Sequence, residues 1–227
     1  MDQQKSPEKI AAIVPAYNES KRVGSVVRSL LLHVDTVLVV DDGSTDDTAE
    51  IAWQAGATVL THRLNRGQGA ALETGHVYAR RVGAEYILHF DADGQFSVDD
   101  ILPALSLLKH AQVDIIFGSR YKDSRSNVPW TKKYLLRPIG KLVDRMFGGL
   151  KLSDAHNGFR LFNKNALHTL SLTHSGMAHA SEIPALVKKH GLRYMEVPVS
   201  VMYHEYGQGI GGGIRVVRDL LLGKFSK

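Results

Sequence analysis

The feature that most constrains this chain is a repeated alternation of short β-branched runs with amphipathic segments across its first half. "IAAIV" (10–14), "TVLVV" (36–40), "ATVLT" (57–61), "EYILHF" (85–90) and "VDIIFG" (113–118) read as strands, each bounded by Asp, Gly, Asn or Pro. Helical stretches lie between them at 20–32, 45–55, 67–82 and 99–110. In "STDDTAEIAWQAGA" the Ser44/Thr45 start, the acids of the first turn and Gly56 at the end are ordinary helix punctuation. Such β-α-β-α order predicts an α/β fold, a mostly parallel sheet with helices on both faces. Ligands in that architecture bind at the carboxyl ends of strands. Four polar clusters fall at such ends: "PAYNE" (15–19), "DDGSTDDT" (41–48), "NRGQG" (65–69) and "DADGQ" (91–95). One Asp-Gly would be a turn; four clusters in phase predict a ligand crevice.

Length and composition set the outer bounds. At 227 residues and 44% hydrophobic composition the chain suits a single domain over 1–227, with a nucleotide-binding half at 10–118 and an acceptor-side half at 119–227. Its apolar runs fall far short of the roughly 20 residues of a membrane span. The opening "MDQQKSPEKI" is polar rather than signal-like, so a cytoplasmic protein is expected, lying on the inner face of the cell membrane if it associates peripherally. The absence of cysteine excludes disulfides and thiolate metal sites. A net charge of +5 fits either an anionic partner or a solvated basic surface. The bases crowd one segment, Lys132, Lys133, Arg137, Lys141 and Arg145, without an RNA-binding or zinc-finger signature, so nucleic acid is not the expected partner.

After residue 119 the texture changes. "GSRYKDSRSNVPWTKK" suits a polar loop or lid. "YLLRPIGKLVDRMFGGL" carries apolar residues at helical spacing against a basic face, which reads as a core-packed helix or as an interfacial one. Residues 178–191 read as helix, 192–201 as strand and 213–225 as a last amphipathic helix.

The chemistry concentrates after the fourth strand. Asp91 and Asp93, one residue apart, repel unless a positive charge sits between them, and Gln95 follows. Mg²⁺ and Mn²⁺ take one or two protein carboxylates plus phosphate oxygens and water, so these residues suit an incomplete metal site that a substrate diphosphate would finish. The eleven histidines show no His-Glu-X-X-His spacing, which argues against a zinc enzyme; His89, inside a strand, reads as a core residue. There is no Gly-X-Ser-X-Gly elbow, Walker-A loop or dinucleotide fingerprint, and "GIGGG" (209–213) lacks phosphate-loop spacing.

Taken in order and spacing, "VPAYNE", "VVDDGSTDDT", "NRGQGAALETG", "DADGQ", "FGSR" and "DAHNGFRLF" resemble the family 2 glycosyltransferases of GT-A fold, among them bacterial cell-envelope enzymes and polyprenyl- or dolichol-phosphate sugar transferases. The resemblance implies that Pro15, Ala16, Tyr17 and Glu19, with Val40 and Asp42, hold the base and ribose of a UDP- or GDP-linked sugar. It implies that Asp91, Ala92, Asp93 and Gln95 form the metal and donor-diphosphate motif, with Mg²⁺ or Mn²⁺ as cofactor. Arg120 matches a base that in the lipid-phosphate enzymes faces the acceptor phosphate, and Lys132 falls near where another such base is expected. The implied reaction is inverting transfer to a lipid phosphate or to a cell-envelope glycan. A hydroxyl acceptor would need a base, for which Asp154 and Glu182 are the candidates beside Asp93; a lipid phosphate would not. The Arg-X-X-Gly-X-Ser-Lys stretch of many lipid-phosphate transferases is replaced by "YHEYGQGIGGG". Peripheral membrane association through 131–147 and 213–225, or a membrane-protein partner, is expected with a lipid acceptor. Two other readings stand beside this one: a nucleotide-sugar-binding scaffold without turnover, and a sugar-phosphate nucleotidyltransferase, which would want a Gly-rich, Arg-containing loop after the first strand where this chain has "PAYNE".

Overall fold

The computed structural model describes residues 9–123 and 150–202. Lys132 and the basic segments 131–147 and 213–225 lie outside the described residues. The described strands are β1 (Ile10–Ala16), β2 (Thr36–Asp41), β3 (Thr58–Thr61), β4 (Tyr86–His89), β5 (Ile115–Ser119), β6 (Arg160–Asn163) and β7 (Tyr194–Pro198). The helices are α1 (Val23–Leu30), α2 (Thr48–Gln54), α3 (Gln68–Arg81), α4 (Ile101–His110), α5 (Lys164–Thr169) and α6 (His179–Lys189), with a 3₁₀ turn at Val98–Asp100. Among the described residues no helix is long and apolar enough to cross a membrane.

The strands form one sheet in the order β3-β2-β1-β4-β6-β5-β7. Every pairing is parallel except those of β6, which runs antiparallel between β4 and β5. The sheet is thus mostly parallel and helix-covered, as the alternation predicts. Strand side chains alternate between two cores. Ala12, Val14, Val37, Val39 and Leu88 meet α1, α2 and α4, while Ala11, Ile13, Leu38, Val40 and Ile87 meet α3, α5 and α6. In α1 the buried Val23, Val26, Val27 and Leu30 recur at helical spacing and supply one stripe of the first core. On α3, Gly75 permits close approach to β1, because a Cβ there would stand 2.3 Å from Ile13 Cγ2.

The chain moves from β1 outward through β2 to β3, then returns to the other side of β1 for β4. The direction of winding reverses between β1 and β4, which opens a crevice at their carboxyl ends. "PAYNE" starts in the last two residues of β1 and runs past its end, and "DADGQ" follows β4 after Phe90. The sequence pattern predicts neither β6 nor α5. β6 returns the second half of the chain to the sheet, pairing His89 with Arg160 on one side and Phe117 with Arg160 on the other.

Candidate active site

Three loops at this sheet edge are tied to one another by side-chain hydrogen bonds. Asn18 adopts left-handed backbone (φ 55°). Its amide donates to Ser44 Oγ at 2.9 Å, and its Oδ1 accepts from the Thr45 amide at 2.9 Å. The Glu19 amide donates to Thr48 Oγ1 at 2.8 Å, so the first loop is stapled to the second along its length. Gly43, at φ 75°, leaves no room for a Cβ, which would lie 2.8 Å from the backbone at Leu64 and Asn65.

Asp42 holds the third loop. Its Oδ1 accepts from His62 Nδ1 at 2.7 Å and from the Arg66 amide at 2.9 Å, and its Oδ2 accepts from the Gly67 amide at 2.6 Å. His62 is braced on its far side by Thr74 Oγ1 on α3, at 2.9 Å from Nε2. Gly67 and Gly69 press against a fourth segment, where Cβ atoms would stand 2.4 Å from Ser175 O and 2.0 Å from His174 O. Glu182, on α6, clamps that segment by accepting from the amides of Thr173 (2.8 Å) and His174 (3.1 Å). Burial works against the Glu182 charge, but these bonds from Thr173 and His174 outweigh it and hold the carboxyl below its ordinary range.

Gln68, at the start of α3, reaches back to donate to Asp91 Oδ1 at 3.0 Å. Asp91 is wedged against the backbone of Gly158, where a Cβ would stand 2.2 Å from Oδ2. Burial, and then the negative charge of Asp93, push the Asp91 carboxyl up to about 7, against the opposing pull of Arg160 and Gln68. A pocket that strains to ionise its carboxylate in this way is short of positive charge. Mg²⁺ or Mn²⁺ between Asp91 and Asp93 would supply it, with Gln95 as a further oxygen donor, so the residues fit a divalent cation. Among the described residues no three His, Cys, Asp or Glu side chains converge as a closed metal cage.

Arg120, immediately after β5, lines the same cavity as the acid pair, and its charge also pulls on the Asp91 carboxyl. Asp154 grips this arginine: Oδ2 accepts from the Arg120 amide (2.9 Å) and from Nε (2.8 Å), and Oδ1 accepts from Nη2 (2.7 Å). Burial alone would raise the Asp154 carboxyl; the hydrogen bonds and charge of Arg120 outweigh it and hold the group below its ordinary range. Beneath the site lies a buried basic cluster of Arg160, His76, His89 and His179. His76 and His89 share a contact of 2.7 Å between their Nε2 atoms. Burial, followed by the charge of Arg160, lowers the His179 pKa to about 4, and burial drives His89 well below its usual value. Both imidazoles are therefore neutral at pH 7.

The resulting cavity holds about 700 Å³. It is lined by Pro15, Ala16, Tyr17, Glu19 and Asp42 from the first two loops, and by Asp91, Ala92, Asp93, Gln95 and Arg120 from the β4 and β5 ends. The structure thus brings together ten of the residues singled out in the sequence. Val40 is not among them; strand alternation turns it into the second core, fully buried, one residue before the polar loop begins. Asp154 stands behind Arg120 and Glu182 behind the 173–175 segment, and neither lines the cavity. Gln68, His156, Asn157 and Met177 do line it. The "NRGQG" cluster at the end of β3 signalled Gln68, and "HNG" within "DAHNGFRLF" signalled His156 and Asn157; Met177 and the bracing His62 carried no local signal.

Comparison with known proteins accords with this arrangement. The family model described as Glycosyl transferase family 2 matches residues 11–171. The chain belongs to glycosyl transferase family 2. It is accordingly a glycosyltransferase. A UDP-N-acetylglucosamine–dolichyl-phosphate N-acetylglucosaminyltransferase of Methanococcus voltae is 32% identical over 96% of this chain and 97% of the relative. An undecaprenyl-phosphate mannosyltransferase of Micrococcus luteus is 28% identical over 91% of this chain and 89% of its own. Among solved structures, glucosyl-3-phosphoglycerate synthase of Mycobacterium tuberculosis superposes with a TM-score of 0.70 over 96% of this chain and 81% of that one, at 20% identity. The fold is therefore that of the GT-A glycosyltransferases.

Proposed function

We propose that this glycosyltransferase transfers a sugar, with inversion, from a UDP-sugar to a polyprenyl-type lipid phosphate, with Mg²⁺ or Mn²⁺ held by Asp91, Asp93 and Gln95. The observation that carries the reading is one cavity lined both by an acid pair and by a clamped arginine. The acid pair suits a cation bridging to a donor diphosphate, and Arg120 suits an acceptor phosphate. The names of the Methanococcus and Micrococcus relatives support a lipid-phosphate acceptor.

The choice of uridine over guanosine rests on Asp42. A carboxylate oxygen accepts two well-directed hydrogen bonds. Oδ1 already takes two and Oδ2 one, so a single position is left. Uracil offers one ring N–H. Guanine recognised edge-on by a carboxylate presents two donors and needs both oxygens, which Asp42 lacks.

The reacting bond is the anomeric C1–O bond to the diphosphate. An acceptor phosphate oxygen attacks C1 from the opposite face, and the pair of electrons of the broken bond leaves with UDP. A bound cation would neutralise the charge arriving on that leaving group. Arg120 orients the attacking phosphate. Because a phosphate is already anionic at neutral pH, the step needs no general base, and Asp154 and Glu182 are free to act as struts. The test is thermal stabilisation by UDP, GDP and their sugars, with and without Mn²⁺, in wild type and Asp93→Ala. A Mn²⁺-dependent shift with UDP that the variant loses supports the donor site; a shift with GDP alone would overturn the uridine assignment.

A further inference from the structure

Behind Arg120 and Asp154 lies a second acid that faces no ligand. Glu196 sits on β7, half-buried and outside the cavity lining, paired in register with Phe117 of β5. Its Oε1 gathers three donors from one turn: the Ser153 amide at 2.7 Å, Ser153 Oγ at 2.9 Å and the Asp154 amide at 3.3 Å. Ser153 Oγ also meets Ser119 Oγ at 2.7 Å, next to Arg120 in sequence. The Ser153–Asp154 turn is thereby fixed to the sheet on both sides. Asp154 in turn fixes Arg120 through its amide, Nε and Nη2, and accepts from Asn157 Nδ2 at 3.1 Å.

From this chain of contacts we infer that Glu196 is a positioning residue for acceptor binding, acting through Asp154 on Arg120. The inference rests on the proposed acceptor role of Arg120. The direction in which the guanidinium enters the cavity is set by where the Asp154 carboxylate stands. That place is set by the turn that Glu196 holds. A turn staple with no functional consequence would have its effect on folding stability alone. A staple behind a substrate-binding arginine has a further effect, confined to one substrate and dependent on the arginine.

The test is a double-mutant cycle of Glu196→Ala and Arg120→Ala, assayed with dolichyl phosphate in detergent micelles, Mn²⁺ and whichever of UDP-N-acetylglucosamine or UDP-glucose is turned over. Glu196→Ala is expected to raise the KM for dolichyl phosphate about ten-fold, in line with sub-ångström misplacement of a binding group. The KM for the UDP-sugar and the thermal shift with UDP and Mn²⁺ stay at wild-type values. Glu196→Gln, which keeps an amide oxygen as acceptor, recovers most of the loss. In the Arg120→Ala background the Glu196→Ala effect shrinks to less than about two-fold, because coupled residues lose their effect together. Should Glu196→Ala fail to fold, Ser153→Ala, which removes one of the three bonds to Glu196 together with the contact to Ser119, provides the same cycle. Equal losses in both backgrounds, or a parallel loss of donor affinity, would overturn the inference alone. An Arg120→Ala enzyme with unchanged acceptor KM would overturn the acceptor assignment and this inference with it.

Discussion

Gly158 offers the sharpest separation of fold from function. A Cβ at this position would stand 2.2 Å from Asp91 Oδ2, where ordinary van der Waals contact begins near 3.4 Å, so Gly158→Ala forces the carboxylate to retreat by about 1.2 Å. The same methyl meets Cγ at 2.8 Å and Oδ1 at 2.9 Å, so rotation of the carboxylate does not clear it. Asp91 lines the cavity, where the proposed function puts the donor diphosphate, and its Oδ1 is tethered to Gln68. Misplacing a group by about 1 Å at a reacting centre lowers rate by about 100-fold. The backbone at Gly158 is outside the left-handed region, so alanine is tolerated conformationally and the stability loss is that of local overpacking, about 1–3 kcal/mol. The expected result is a folded enzyme whose kcat falls about 100-fold and whose apparent affinity for Mn²⁺ in the presence of UDP weakens. Initial rates across a Mn²⁺ series, with circular dichroism to confirm folding, measure both. A Gly158→Ala enzyme with wild-type rate and Mn²⁺ dependence would refute the placement of Asp91 at the reacting centre.

Three further outcomes follow from the same geometry. Glu182→Gln keeps one side-chain oxygen for the Thr173 amide and gives up only the longer bond from the His174 amide, so its kcat should stay within about ten-fold of wild type; a loss beyond about 100-fold would identify a general base instead. Asp42→Asn sets an amide NH₂ against donors already gathered there by His62, Arg66 and Gly67, and UDP affinity measured by calorimetry should fall about 10- to 100-fold, with no gain for GDP. His179, with its pKa lowered from 6.5 to about 4, resists protonation in the fold, so its contribution is present at neutral pH and lost as pH falls from 6.5 to 4. Its full size is about 3 kcal/mol. Asp91, raised to about 7, titrates with the opposite sign over much of that window, so the quantity to read is the difference in unfolding free energy between wild type and His179→Asn. That difference should shrink as pH falls from 6.5 to 4, and one that does not change with pH would contradict the burial argument.

The first five strands and the phase of their polar ends were legible because β-branched runs, turn residues and period report directly on a parallel sheet. β6 was not, because four residues with a fully buried arginine at their head carry no strand period, and only insertion between β4 and β5 makes them core. Ten of the singled-out site residues reached the cavity because adjacency to a strand end fixes their place. Val40 did not, since its side chain follows the alternation of the strand rather than the chemistry of the polar cluster that follows it. The partners of Asp154 and Glu182 were hidden for a different reason. An acid in sequence carries a charge but not its partner, and theirs lie across the fold: Arg120 is 34 residues from Asp154, and Thr173 is 9 from Glu182. Asp42 illustrates both cases, legible as a site residue yet paired with His62 at a separation of 20 that no local pattern reveals.

The central claim is that an anionic lipid acceptor meets a metal-bound UDP-sugar in this cavity. The most direct measurement is transfer of radiolabelled sugar from UDP-N-acetylglucosamine and UDP-glucose to dolichyl phosphate and, in parallel, to unphosphorylated dolichol, with Mn²⁺ or with EDTA. Label should enter the lipid only with dolichyl phosphate and Mn²⁺, and should disappear in Asp93→Ala. Equal labelling of dolichol, or transfer undiminished by EDTA, would contradict the account.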